Sequence, residues 1–142
     1  MVERVGFSGR QNLDFEEEFL LPEEISEWIG LKKSEYLSQL IMGMDSSDFG
    51  FEEFPQFDKY IPETIKSPDK LYQFVEDNFP IQIYLKAGQE PVFHYQVVIG
   101  MVVPEKNSDA QVFVPIISFV TKYEKLLAEF VKGELVKRPI YS

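Results

Sequence analysis

The chain has 142 residues and a formal net charge of -10, with 44% hydrophobic and 15% aromatic residues and no cysteine. That length fits a single domain, residues 1–142, with a real core, and the composition argues against general disorder. The missing cysteine excludes disulfides and thiol chemistry, and the absence of a basic stripe argues against non-specific duplex binding.

The first residues, MVERVGFSGRQ, contain no apolar run of signal-peptide type. No stretch of about eighteen uncharged apolar residues occurs anywhere, so a soluble, non-secreted, cytoplasmic protein with no membrane partner is expected. The acidity is localised. Residues 1–56 hold thirteen acidic residues against Arg4, Arg10, Lys32 and Lys33, whereas residues 57–142 hold eleven against ten. The expected organisation is an acidic helical part, 1–56, followed by a near-neutral part, 57–142.

In LPEEISEWIG, Pro22 suits a first helical turn, and Glu23 and Glu24 suit the positive end of the dipole. Ile25, Trp28 and Ile29 share one face and Gly30 supplies a stop, so a short helix is expected. A second helix is expected over KKSEYLSQLIMG, with Ser34 as cap and Tyr36, Leu37, Leu40 and Ile41 at helical spacing. The following segment interleaves Phe49, Phe51, Phe54 and Phe57 with acids and reads as a loop pinned by its rings. Its Asp45, Asp48, Gly50 and Glu53 miss the spacing of a calcium loop, and Gln56 stands where a closing glutamate would be needed, so no metal or cofactor is expected. Ser67, Pro68 and Asp69 predict a helix start, with Leu71, Phe74 and Val75 buried and an end near Asn78.

Thereafter the period changes. Ile81, Ile83, Leu85 and Ala87 alternate with Gln82, Tyr84 and Lys86, as in a half-buried strand. FHYQVVIGMVV has apolar residues at every odd position, while its even positions start with His94 and Gln96 and become Val98, Gly100 and Val102. QVFVPIISFVT predicts a third strand in which Pro115 marks an edge or a bulge. TKYEKLLAEFVKG predicts a helix with Tyr123, Leu126, Leu127, Phe130 and Val131 on one stripe, ended by Gly133. The class is therefore α+β: N-terminal helices, an antiparallel meander of at least three strands, and a C-terminal helix.

Simple hairpins would pair Tyr84 with His94, Gln82 with Gln96, and Gln96 with Ser118. One sheet face would then carry Tyr84, Lys86, His94, Gln96 and Ser118, with Lys122 beyond. Farther along, that face would continue through Val98, Val102, Val114 and Ile116 and would need a cover from the N-terminal helices. Metal-independent RNA cleavage needs a base, an acid and donors for the crowded phosphate. His94 supplies the first or second role and Lys86 or Lys122 a cation. Tyr84 supplies a proton donor or stacking ring, and Gln96 and Ser118 supply hydrogen bonds.

The pieces SPDKLY, IQIYLK, YQVVIGMVV and ISFVT, within residues 60–122, resemble the phage-associated nuclease domains grouped with barnase, EndoU, the colicin nuclease toxins and RelE, the BECR fold. Those domains run from a Pro-Asp-bearing helix into a meander that ends in a Ser/Thr-containing strand. The resemblance implies a metal-independent endoribonuclease acting on RNA, or an inactive relative, and directs attention to Ser118, Thr121, Tyr84 and Lys86. The expected catalytic set is His94, Lys86, Tyr84 and Ser118, with Gln96, Thr121 and Lys122 binding substrate. The competing expectation is an acidic inhibitor, immunity or adaptor module that meets a basic protein through residues 14–57.

Overall fold

The computed structural model describes residues 23–104 and 110–136. It runs α1 (Glu23–Gly43), a 3₁₀ helix (Phe51–Tyr60), α2 (Ile61–Lys66), β1 (Lys70–Glu76), β2 (Phe79–Gly88), β3 (His94–Pro104), β4 (Gln111–Thr121), α3 (Glu124–Phe130) and β5 (Glu134–Val136). The strands form one antiparallel sheet in the order β4-β3-β2-β1-β5. The α+β class and the central meander stand. No helix among the described residues is long and apolar enough to cross a membrane.

Where two N-terminal helices were expected, α1 is continuous through Gly30. A Cβ at residue 30 would meet nothing within 4 Å, so this glycine sits on an open side of the helix and costs it only propensity. Trp28, Lys32, Tyr36 and Leu40 recur every fourth residue on the packed face, and that docking holds the helix through the weak point. The segment expected to be a phenylalanine loop is the 3₁₀ helix followed by α2. Phe51, Phe54, Phe57 and Tyr60 are spaced by three, and a 3₁₀ helix repeats every three residues, so these rings line one side.

The helix expected over residues 67–78 is instead β1 and its turn. The Asp69 carboxylate does not cap a helix: it accepts the Ala87 N–H at 2.8 Å, while the Asp69 N–H donates to the Leu85 carbonyl at 2.9 Å. Asp77 and Asn78, at φ 54° and 71°, make a two-residue left-handed turn that pairs Glu76 with Phe79. This is the turn geometry that matches the twist of a hairpin, and Asp and Asn tolerate it better than most residues. Pro115 does mark both an edge and an irregularity. Among the described strands β4 stands at one end of the sheet, and its register with β3 shifts between Ile99 and Gly100.

One face of the sheet, carrying Ile83, Leu85, Val97, Ile99 and Met101, packs beneath α1 and α3 through Tyr36, Leu40, Leu126, Leu127 and Phe130. On the other face, Leu71, Tyr84, Val98, Val102 and Phe113 meet Ile61 and Ile65 of α2, and Val120 meets Phe49 and Phe57. The cover of this second face is thus the 3₁₀ helix and α2, not α1. Val114 and Ile116 do not belong to it. The register shift turns them to the α1 side, where they join the first cluster.

A buried cation ties α1 to the β1–β2 hairpin. The Lys32 ammonium, 6% exposed as a residue, bonds to Glu35 at 2.8 Å and closely to Glu76, and the Trp28 indole N–H donates to Asp77 at 2.8 Å. Burial alone would lower the Lys32 pKa, but its bonds to Glu35 and Glu76 outweigh that and raise it above 10.5. The same bond holds the Glu76 carboxyl below its ordinary 4.5. A depressed carboxyl contributes stability above its unfolded pKa and loses it as pH falls through the native one. Unfolding free energy should therefore hold above about pH 4.5 and decline by about 1 kcal/mol from this pair on further acidification. Urea titrations across that window should show a shallower decline in Glu76→Gln.

Candidate functional site

The polar residues of the second face come from even positions of β2 and β3. The hairpin register differs from the simple one. Residues 89–93 form the connection, so Gly88 pairs with His94, Lys86 with Gln96, and Tyr84 with Val98. On the outer strand, Ser118 pairs with Val98 and Val120 with Gln96. The displacement is by four residues on one side of β3 and by two on the other. Even slips keep side chains on their face but move them along it. Tyr84 and Ser118 therefore share one row across the sheet, Lys86 and Gln96 the next, and His94 a third.

His94 is 2% exposed. Its ring lies 4.6 Å from that of Phe57 and 6.1 Å from that of Tyr60, measured between centroids, and Nδ1 is 2.8 Å from the Val92 carbonyl oxygen. A Cβ on residue 88 would come within 2.8 Å of the imidazole Cε1, so glycine there is what lets the ring lie over β2. Gln96, 3% exposed, donates from Nε2 to the Phe57 carbonyl at 3.0 Å. The single Thr64 hydroxyl proton is shared between the Tyr60 carbonyl at 2.9 Å and Gln96 Oε1 at 3.3 Å. Gln96 is thereby a fastener for both covering helices.

The other expected site residues are similarly engaged. The fully buried Tyr84 donates to Gln82 Oε1 at 2.7 Å, Gln82 donates on to Gln73 at 3.2 Å, and the Tyr84 ring meets Phe113 edge-on at 4.9 Å. Lys86 donates to the Ser67 carbonyl at 2.6 Å, with Asp69 at 3.9 Å. Thr121 pairs with Tyr95, on the opposite face from His94, and its hydroxyl donates to Asp48. Lys122 donates from Nζ to the Ser47 carbonyl at 3.1 Å, and its ammonium sits 5.1 Å from the Phe49 ring centre. The structure thus brings Lys86, Gln96 and His94 to one end of the second face, with Gln96 and His94 under a cover and Lys86 half-exposed at its margin, and sends Ser118, Thr121 and Lys122 elsewhere.

Three acids of residues 45–53, Asp45, Asp48 and Glu53, are also engaged internally. Asp48 accepts the Phe49 and Lys122 N–H groups, each at 2.8 Å, as well as the Thr121 hydroxyl. Asp45 accepts from the Ser47 N–H and hydroxyl, which draws its pKa down, and Glu53 accepts the Gly50 N–H at 2.9 Å. No cluster of three or more His, Asp or Glu suited to hold a metal occurs among the described residues.

An open groove lies instead at the sheet edge, about 380 Å³ in volume. Its floor is residues 115–118 of β4. One wall is α1, through Lys33, Leu37 and Leu40, and the other is the 3₁₀ helix, through Phe51 and Phe54. Of the expected site residues only Ser118 reaches it. Phe51, at the free end of the ring row, is 41% exposed, and Glu52 beside it is exposed as well. Sequence reading missed this groove because its walls belong to segments far apart in the chain. The exposed Phe-Glu pair was the one local signal. Compared with protein-family models, curated proteins and solved structures, the chain matches none.

Proposed function

We propose that the protein is an acidic protein-interaction module, of inhibitor, immunity or adaptor type, whose partner presents a basic surface. The observation that carries this reading is the division between inside and outside. His94, Gln96 and Tyr84, which would supply chemistry, are buried, and Gln96 fastens the cover, while Glu23, Glu24, Glu27, Glu52, Asp58 and Glu63 face solvent. An acid-base site needs its groups within reach of substrate. Surface carboxylates of one sign steer and select a cationic partner without needing any chemistry.

The endoribonuclease reading would require Phe57 and Tyr60 to leave the His94 ring before RNA could approach. One pair of experiments separates the two. The purified chain should leave structured and single-stranded RNA intact in EDTA. It should capture a basic protein from lysate that, once identified and purified, rebinds with an affinity falling steeply as salt rises. Charge reversal at Glu52 and Asp58 should weaken that binding. RNA cleavage abolished by His94→Ala would overturn the proposal in favour of the nuclease, and a partner indifferent to salt and charge reversal would also overturn it.

A further inference from the structure

The groove between α1 and the 3₁₀ helix has a volume of about 380 Å³, and its lining side chains are apolar apart from Lys33 on one wall and Ser118 on the floor. That volume lies in the range of small-molecule sites, roughly 300–1,000 Å³, where apolar walls carry a few polar groups that fix orientation. Leu37 and Leu40 stand on one side, and the Phe51 and Phe54 rings, 5.3 Å apart between centroids, on the other. Leu37 is half-buried and Phe51 exposed, so apolar surface at the rim is left to water. A ligand that covers it gains from that burial.

In a chain of net charge -10, the one charge on this lining is positive. The cause is local. Glu52 and Glu53, between the two rings in sequence, are turned to Gly50: a Cβ on residue 50 would lie 2.6 Å from Glu52 Oε1, and Glu53 accepts the Gly50 N–H at 2.9 Å. Neither lines the groove. On α1 the positions three and four residues from Lys33 are Ile29, Gly30, Tyr36 and Leu37, so its own helix offers it no carboxylate. Lys32 beside it is taken by Glu35 and Glu76, whereas Lys33 makes no ion pair among the described residues. We infer that the groove binds a small organic anion with a single carboxylate on an apolar body, aryl or short alkyl. The body lies between Leu37 and Phe51, the carboxylate meets the Lys33 ammonium, and Ser118 is the one side-chain donor on the floor. A second negative charge would find no second cation, and a cationic ligand would meet only Lys33. This site goes beyond the interaction-module reading and does not depend on it.

The test titrates the intact protein with naphthoate and octanoate, each beside its neutral amide, and with naphthylmethylamine, read by the backbone amide signals in nuclear magnetic resonance. At least one acid should bind with a dissociation constant of about 1 mM or below, moving the amides of Lys33, Leu37, Ile117 and Ser118. Comparing the two acids tells an aryl from an alkyl body. The neutral amide of the bound acid should bind about threefold or more weakly. Lys33→Met, which keeps an apolar stem, should erase that difference, and Lys33→Arg should keep it. Phe51→Ala should weaken acid and amide alike, about fivefold, while Lys70→Met, on β1 three strands away, should change nothing. The substituted side chains are exposed, so the variants retain the fold. Silence of both acids at millimolar concentration, an amide as tight as its acid, preference for the amine, or binding indifferent to Lys33→Met or to Phe51→Ala would each overturn the inference. None of these outcomes bears on the capture of a basic partner.

Discussion

Truncating Phe57 to alanine should cost about 3–5 kcal/mol of folding stability, the range for a large buried ring removed from a packed site. Phe57 is 1% exposed and sits at the middle of the ring row, against Phe49 at 5.0 Å and His94 at 4.6 Å between centroids. Its side chain seals the cover, whereas its carbonyl, which receives the Gln96 amide, remains in the variant. The loss should therefore open the contact over the imidazole without detaching the whole segment. The chain has one histidine, so the ultraviolet absorbance of the carbethoxylated imidazole formed with diethyl pyrocarbonate reports His94 alone. Wild type should react slowly and Phe57→Ala at least several times faster, with urea denaturation giving the stability loss. Equal reactivity in the two would show that the ring does not guard His94.

Removing the Asp48 carboxylate is the second large effect. Its two oxygens take three donors: the Phe49 N–H, the Lys122 N–H and the Thr121 hydroxyl. Thr121 has 0% exposure, so its hydroxyl loses a partner without gaining ready access to water. Hydrogen bonds to a charged acceptor are worth roughly 1.5–3 kcal/mol each, and partial exposure of the aspartate reduces that, so Asp48→Ala should cost about 3 kcal/mol in all. Asp48→Asn keeps one acceptor oxygen and should fall between. A double-mutant cycle with Thr121→Val should be clearly non-additive, because both changes remove the same bond. Additive losses would mean that the loop and the end of β4 are held by something else.

These two residues also mark how far the sequence could be read. Helix α3 and strand β2 were legible from the period of their apolar residues, and β3 and β4 from short runs rich in β-branched residues. Phe57 and its neighbours repeat every third residue, a period outside the two usually sought, so the row passed for irregular chain. β1 was misread because Ser-Pro-Asp is a strong helix start when nothing else claims the aspartate. In the fold it is claimed by the Ala87 amide of the next strand, and the left-handed Asp77-Asn78 turn sets up that pairing. The pairing of side chains into a site depended on turn lengths. The even displacement kept Lys86, Gln96 and His94 on one face while separating Tyr84 and Ser118 from His94. Burial of that face could not be inferred, since it depended on recognising the 3₁₀ helix that covers it.

The three-residue period has a consequence for how this segment can change. In a 3₁₀ helix each residue advances the chain by about a third of a turn. Inserting one residue early in the segment Phe51–Tyr60 would rotate the rings beyond it off the sheet and bring Gln56 and Lys59 toward His94, and deleting one would bring Asp58 there. Insertion of three residues would restore the phase. The segment is therefore frame-locked: ring-for-ring exchanges are tolerated far better than a change of length, and its reading frame is as much part of the fold as its composition.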